Sequence, residues 1–143
     1  MTVRIKICGI TTAAGMDAAV AAGADWVGFN FFPTSPRHVT PAQAAALAAR
    51  SGVPTMVGLF VQPTDAEIAA TLAAIALDVL QLYTDVARAA AIRSRFGLAV
   101  WRPVGVATPA DLPRGAAGAD ALLIEAKPPA DATRPGGNAA TFD

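Results

Sequence analysis

Short runs rich in β-branched residues alternate with alanine-rich stretches along the chain, and this alternation constrains the fold more than any other feature. The runs recur about every 20 to 30 residues, which is the length of one strand–helix unit. Strands joined through helices run parallel, so the alternation predicts an α/β fold with right-handed crossovers, either doubly wound or a barrel. The predicted strands cover residues 3–8, 25–32, 55–61, 78–83, 99–106 and 119–125.

Helix signals fall between these runs. Threonines precede the helical stretches, one within a capping box at Thr64–Glu67, and glycines follow them. A recurring turn ending in aspartate leads into three of the strands, at Asp25, Asp78 and Asp120. The first predicted helix follows Thr12, runs to about Ala22 and is closed by Gly23, and the second runs from Pro41 to Gly52. The third is an apolar helix after the capping box, the fourth runs from about Val86 to Phe96 and is closed by Gly97, and the fifth, short and weak, lies near 109–116.

Composition excludes several classes of protein. The 143 residues fit a single domain, 1–143, but are short for an α/β barrel of about 250 residues. Eleven basic and eleven acidic side chains give no net charge, which argues against nucleic-acid or acidic-membrane partners. One cysteine cannot form an internal disulfide or a cysteine-rich zinc site. A hydrophobic content of 54% excludes intrinsic disorder.

The apolar content does not indicate a membrane protein. The longest apolar run, Ile68–Leu77, contains Thr71 and is shorter than the roughly 18 residues of a spanning helix. The N-terminus lacks the apolar stretch of a secretory signal. A cytoplasmic protein is therefore predicted.

Chemistry in parallel α/β folds lies at the carboxyl ends of the strands. Cys8 ends the first predicted strand, facing the same way as Lys6, and Glu125 ends the sixth. A lone cysteine in a strand is about twice as often a small core residue as a reactive group. For Glu125, a solvated structural role and a functional role weigh about equally, because a charge directly after an apolar run needs a partner.

Three further features are candidates for binding. Arg37 lies in a proline-rich loop. The alternative for Arg37, and more so for His38, is an exposed loop residue with no binding role. Gln81, between two leucines, needs hydrogen-bond partners that a ligand or a neighbouring strand would supply. Gly136 and Gly137 suit either a flexible loop or a phosphate cradle. No G-x-G-x-x-G follows any predicted strand, which argues against a dinucleotide cofactor.

Taken together, the motifs resemble phosphoribosylanthranilate isomerase. They follow the family's order over the whole chain, and KICGIT followed by SPR is hard to obtain by chance. The motifs are KICGIT at 6–11, GAD at 23–25 with Gly28–Phe29, SPR at 35–37, VGLFV at 57–61, DVLQL at 78–82, LIEAK at 123–127 and RPGG at 134–137 with Phe142–Asp143.

The resemblance implies a (β/α)₈ barrel of tryptophan biosynthesis that uses no metal or organic cofactor. The implied reaction is an Amadori rearrangement of N-(5-phosphoribosyl)anthranilate, a small phosphorylated substrate. A general acid opens the ribose ring to a Schiff base, and a general base then removes the C2′ proton. The implied base is Cys8, the implied acid is Glu125, and Arg37 is the implied partner of the anthranilate carboxylate.

The chain departs from the family pattern in three places. The acid is more commonly aspartate, whereas Glu125 carries one more methylene. Tyr83 and Thr84 stand where the family often has histidine and glycine. The resemblance stops at Asp143, before strands seven and eight and their expected phosphate-binding glycine loops.

Six strand–helix units cannot close an eight-stranded barrel, so this 143-residue sequence predicts a truncated or incomplete barrel. The isolated chain is expected to have little or no isomerase activity. The alternative is a non-catalytic fragment or assembly subunit, completed by a partner segment or by self-association through open barrel edges. A different phosphate-binding barrel enzyme of the same pathway fits the KICG and SPR motifs poorly.

Overall fold

Six parallel strands lie in one sheet in the computed structural model, which describes residues 2–138. The strands follow the order of the chain from β1 to β6 without reversal. A doubly wound sheet reverses its strand order at a switch point, so this order excludes that alternative. The strands are β1 Lys6–Cys8, β2 Trp26–Asn30, β3 Thr55–Val61, β4 Val79–Tyr83, β5 Ala99–Val106 and β6 Ala121–Ala126.

The strand predictions are confirmed for β3 and β5 to the residue, and corrected elsewhere. The first predicted strand loses residues 3–5, because β2 begins at Trp26 and that residue pairs with Lys6. The second is also shorter than predicted and ends at Asn30, and the fourth begins one residue late, at Val79. The sixth begins two residues late and includes Ala126. The motif residues Phe142–Asp143 lie outside the described residues.

In the part of the chain that the structure describes, four α-helices alternate with these strands, each begun by a capping side chain. The predicted capping box is present at Thr64 and Glu67, and a second one joins Thr40 to Gln43. Gly97 ends the fourth helix in the left-handed conformation, as predicted. The helices are α1 Ala13–Ala21, α2 Pro41–Ala48, α3 Asp65–Ala74 and α4 Val86–Phe96.

Two helix predictions are wrong in extent. The second helix ends at Ala48, and Gly52 belongs to the turn that follows it. The fifth predicted helix is only a 3₁₀ turn, Pro109–Asp111. Pro113 holds Leu112 in an extended conformation, because the proline ring disfavours a helical residue before it.

The recurring aspartates tie the strands together in pairs. Each lies just before an even-numbered strand, and its carboxylate and its backbone N–H both bond one residue at the start of the preceding strand. We call each such double contact an aspartate clasp. The clasps join Asp25 to Ile5, Asp78 to Met56 and Asp120 to Val100, with carboxylate–amide distances of 2.7, 2.7 and 2.8 Å.

The sheet is curled, as in part of a barrel. The Lys6 amino group on β1 hydrogen-bonds to Gln81 on β4, although three strand spacings in a flat sheet would separate them by about 14 Å. On the same inner face, the rings of Trp26 on β2 and Trp101 on β5 meet edge to face, with centroids 5.1 Å apart. Curling therefore brings distant strands together around one interior.

The core lies between the outer face of the sheet and the helices. Phe29, Leu80 and Leu82 are fully buried there against Met16 and Ile92 of the helices. Toward the edges of the sheet the outer face is open, with Ile5 51% and Ile124 39% exposed. None of the helices within residues 2–138 has the length and apolar character that crossing a membrane requires.

Candidate active site

A cavity of about 330 Å³ opens on the inner face of the sheet, at the carboxyl ends of the strands. Parallel α/β folds bind their ligands at this end. The cavity brings together every residue that the sequence singles out for catalysis or binding. These are Cys8, Arg37, Gln81, Glu125, Gly136 and Gly137.

β1 contributes Lys6 and Cys8, which face the cavity together as predicted. Cys8 is exposed, so it is not a core residue. Burial lowers the pKa of the Lys6 ammonium below its usual 10.5, while Cys8 and Glu125 oppose that shift. Gly28 on β2 allows this proximity, because a Cβ there would stand 2.9 Å from the Cys8 sulfur.

Arg37 reaches the cavity from the loop after β2. Its Nη1 lies 3.4 Å from the Cys8 carbonyl oxygen, a long hydrogen bond, and the side chain remains exposed. Gly9 makes room for it, since a Cβ at that residue would stand 2.6 Å from the Arg37 Cδ. The Asn30 amide donates to the Ser35 hydroxyl and holds the loop in place. The guanidinium thus lies at the mouth of the cavity, next to β1.

Gln81 on β4 is 2% exposed. Its amide oxygen accepts a hydrogen bond from Lys6, so a neighbouring side chain supplies one of the partners that its burial requires. Its role in substrate binding stays a prediction.

Tyr83 at the end of β4 and Glu125 on β6 form the opposite wall. The phenol lies 2.9 Å from each carboxylate oxygen. Burial first, and then the Glu125 carboxylate, raise the pKa of the Tyr83 phenol well above its usual 10.0. The phenol therefore keeps its proton at neutral pH and donates a hydrogen bond to Glu125.

The loop after β6 covers this wall. Gly136 packs so closely on Tyr83 and Glu125 that a Cβ there would stand 2.4 Å from an oxygen of each. Gly137 has a positive φ of 67°, and its carbonyl oxygen accepts a hydrogen bond from Arg134. The geometry accounts for both glycines without a ligand, and their predicted phosphate contact stays a prediction.

Sequence reasoning found the residues of the cavity but missed their contacts. The Tyr83–Glu125 pair was not foreseen, although both residues were singled out as departures from the family pattern. The role of Asn30 was also missed, and its one signal was its position at a strand end, beside a loop of functional interest. His38 is exposed and lies outside this cavity, which confirms its structural alternative.

The donor set of the cavity suits proton transfer and anion binding. It holds a thiol, a carboxylate, an ammonium and two guanidinium groups. Within residues 2–138, no group of three or more histidine, cysteine, aspartate or glutamate side chains is placed to hold a metal ion.

Comparison with known proteins decides the family. Residues 5–143 match the model of the N-(5′-phosphoribosyl)anthranilate isomerase family. The isomerase of Granulibacter bethesdensis is 52% identical over 145 residues, covering 100% of this chain and 69% of that protein. The chain belongs to the N-(5′-phosphoribosyl)anthranilate isomerase family.

Solved structures of phosphoribosylanthranilate isomerases share its fold. A monomeric form of the dimeric Thermotoga maritima enzyme superposes with a TM-score of 0.76 at 32% identity, over 88% of this chain and 65% of that one. An isomerase in complex with reduced 1-(o-carboxyphenylamino)-1-deoxyribulose 5-phosphate superposes with a TM-score of 0.70 at 32% identity, over 77% and 57%. The chain is thus part of a TIM-barrel-type fold and spans less than two thirds of these solved chains.

Proposed function

We propose that this chain carries the acid and the base for the isomerisation of N-(5-phosphoribosyl)anthranilate to 1-(2-carboxyphenylamino)-1-deoxyribulose 5-phosphate in tryptophan biosynthesis, and that it turns over substrate when self-association completes its barrel. The reaction is an aldose–ketose isomerisation within one molecule. The observation that carries the proposal is that Cys8 and Glu125, from β1 and β6, line one cavity with Arg37 at its mouth. The family membership supports the same reaction.

Glu125 acts as the general acid in this proposal. Its proton passes to the ribose ring oxygen, the bond between that oxygen and C1′ breaks, and a Schiff base forms between C1′ and the anthranilate nitrogen. The carboxylate left behind remains hydrogen-bonded to Tyr83. A positioned acid of this kind contributes about 10²- to 10⁴-fold to the rate.

Cys8 acts as the general base. Its thiolate takes the C2′ proton, and the electron pair of that bond forms the C1′–C2′ double bond of an enolamine. The enolamine then gains a proton at C1′ and loses the proton of its C2′ hydroxyl, which gives the ketone. The nearby Lys6 ammonium is the positive charge that faces the thiolate.

Arg37 binds the anthranilate carboxylate. Its planar guanidinium can donate two parallel hydrogen bonds to a carboxylate. Because it lies beside β1, it would place the aromatic end of the substrate on the Cys8 side of the cavity. Gln81, Gly136 and Gly137 complete the proposed substrate contacts, and no metal or organic cofactor takes part.

The test is turnover of the anthranilate substrate, which is monitored by its fluorescence. It is measured separately on each oligomeric fraction of the chain. We expect Cys8→Ala and Glu125→Gln each to lower kcat by about 100-fold or more. His38→Ala, an exposed residue outside the cavity, is the control and keeps full turnover. Unchanged turnover in Cys8→Ala or Glu125→Gln would refute the role of that residue.

Self-association is the second proposal, and one observation favours it. Within residues 2–138, β1 pairs only with β2 and β6 only with β5, and the apolar side chains Ile5, Ile7 and Ile124 are exposed beside these edges. Unpaired edges of this kind are surfaces for pairing with another chain. We expect light scattering to show a discrete oligomer, and we expect the turnover to be found in that fraction. A chain that is active as a monomer would contradict this. The proposed location of the protein is the cytoplasm.

A further inference from the structure

Tyr83 takes no part in the proposed proton transfers, yet it lines the cavity and lies against the proposed acid. Its hydroxyl is 2.9 Å from Oε1 and 2.9 Å from Oε2 of Glu125, so one phenol bridges the whole carboxylate. The two residues come from β4 and β6, which are not neighbours in the sheet. The contact therefore depends on the curl of the sheet and crosses the interior.

The surroundings keep the pair in this arrangement. Tyr83 and Glu125 are both half-buried, and the backbone of Gly136 closes one side of the pair. The Glu125 carboxylate thus lies between the Tyr83 phenol and the Gly136 backbone.

We propose that Tyr83 is a positioning residue that holds the Glu125 carboxyl in the orientation from which its proton reaches the ribose ring oxygen. The proposal rests on the proposed role of Glu125 as the acid. Tyr83 touches Glu125 and no reacting atom, so it acts only through that carboxyl.

The chemistry of the pair gives Tyr83 a specific task. A glutamate side chain has three rotatable bonds, and an acid that rotates freely presents its proton only part of the time. A phenol has one proton to donate. When one oxygen of Glu125 is protonated, Tyr83 donates to the other, which leaves the protonated oxygen for the substrate.

Kinetics provide the first arm of the test. Tyr83→Phe removes the bridging oxygen and keeps the ring, and we expect kcat to fall about tenfold or more, the effect of losing one hydrogen bond to a charged group. KM stays within about twofold, because the phenol does not bind the substrate in this proposal. The limb of the pH–rate profile that belongs to the general acid moves, while the limb that belongs to the general base stays in place.

Thr84→Val is the matched control. It also removes a hydroxyl hydrogen bond just after β4, to Gln62, but it does not touch Glu125. It keeps the kcat, the KM and the pH profile of the unaltered chain. In a Glu125→Gln background, Tyr83→Phe adds little further loss, since two residues that act as a unit are not additive.

Spectroscopy provides an arm that needs no activity. Tyr83 is the single tyrosine of the sequence, so tyrosine labelled with ¹³C at Cζ gives one NMR signal that belongs to it. We expect this signal to follow the titration of a carboxyl group in the unaltered chain and to lose that response in Glu125→Gln. Tryptophan fluorescence shows that the chain stays folded across the pH range used.

Each result has one meaning. A Tyr83→Phe variant with unchanged kcat overturns the positioning role, and a Cζ signal that responds alike in both chains overturns the contact itself. Full turnover in Glu125→Gln instead overturns the acid role of Glu125, and with it the proposed function of that residue. A tenfold loss confined to kcat, together with the lost NMR response, supports the proposal.

Discussion

Gly136 occupies a position where a methyl group would meet two oxygen atoms. The Tyr83 hydroxyl and the Glu125 Oε2 would each stand 2.4 Å from a Cβ there, closer than real Cβ contacts allow. The two oxygens are hydrogen-bonded to each other, so a Cβ there would displace them as a pair or pull them apart. The requirement for glycine at this residue therefore comes from the wall that the loop covers.

We predict that Gly136→Ala lowers turnover about tenfold or more, because the loop or the carboxyl has to move. Gly115→Ala is the control, since Gly115 has open space around it and no positive φ. Turnover and thermal unfolding are measured for both variants. Equal turnover in Gly136→Ala and the unaltered chain would contradict the close packing.

Residue chemistry was predictable from sequence where it depended on neighbours along the chain. The two-residue period of a strand placed Lys6 beside Cys8, and the structure confirms it. The Tyr83–Glu125 contact joins residues 42 positions apart and was not predictable. It depends on how far the sheet curls, which no local pattern specifies.

At the scale of the elements, the aspartate clasps fix where paired strands begin. In each clasp, a residue at the start of an odd-numbered strand donates its N–H to the aspartate carboxylate. The carbonyl oxygen of the same residue accepts a hydrogen bond from the aspartate N–H. Asp120 is held further by Arg93, whose Nε and Nη2 donate to its two oxygens at 2.9 and 2.8 Å. The end of α4 is thereby fixed to the start of β6.

We predict that Asp78→Ala lowers the free energy of unfolding by about 1 kcal/mol, the usual net value of one hydrogen bond. The Met56 amide loses its carboxylate partner, while the backbone bond of the clasp remains. Urea unfolding measures the change. Asp131→Ala, an exposed aspartate after β6, is the control, and an equal effect there would contradict the clasp.

We predict an acid-sensitive contribution from Asp120. Arg93, and after it the Val100 amide, lower the pKa of this carboxyl from its usual 3.8 to about 2. A lowered pKa in the folded state gives stability that is complete above 3.8 and is lost as the pH falls toward 2.

The comparison is between Asp120→Asn and the unaltered chain, by urea unfolding at a series of pH values. The variant is less stable near neutral pH, and its stability changes less between pH 3.8 and about 2. Parallel curves for the two chains would show that Asp120 does not contribute in this way.

Elements with strong local signals matched their predictions. The bounds of β3, β5 and α4 follow from β-branched runs, a capping residue and a terminal glycine. The fifth helix was overpredicted because Pro113 and Gly115 outweigh the helical residues around them. The first strand was overpredicted because its partner in the sheet, and not its own composition, fixes its length.

At the scale of the whole molecule, the curl of the sheet brings the carboxyl ends of non-neighbouring strands together into one cavity. It joins β1 to β4 through Lys6 and Gln81, and β4 to β6 through Tyr83 and Glu125. Parallel strand order was predictable from the alternation of elements. The curl was implied only by the family resemblance, because strand sequences alone do not distinguish an open sheet from a barrel.

We predict that the two tryptophans report the curl. Trp26 and Trp101 are the only tryptophans in the sequence, and their rings are 5.1 Å apart at an interplanar angle of 79°. We expect an exciton signal in far-ultraviolet circular dichroism that disappears in Trp26→Phe and equally in Trp101→Phe. A signal that survives either substitution would contradict the contact between the two rings. It would also contradict the curl of the sheet that brings β2 close to β5.

The aspartate clasps also determine how the sheet can come apart. All three lie within the pairs β1–β2, β3–β4 and β5–β6, so separation inside a pair breaks a clasp as well as the ladder. Separation between pairs breaks ladder bonds and the side-chain contacts of the cavity, such as Tyr83–Glu125, but no clasp. We therefore expect hydrogen exchange to show the amides at the start of a clasped pair exchanging together, as one cooperative unit.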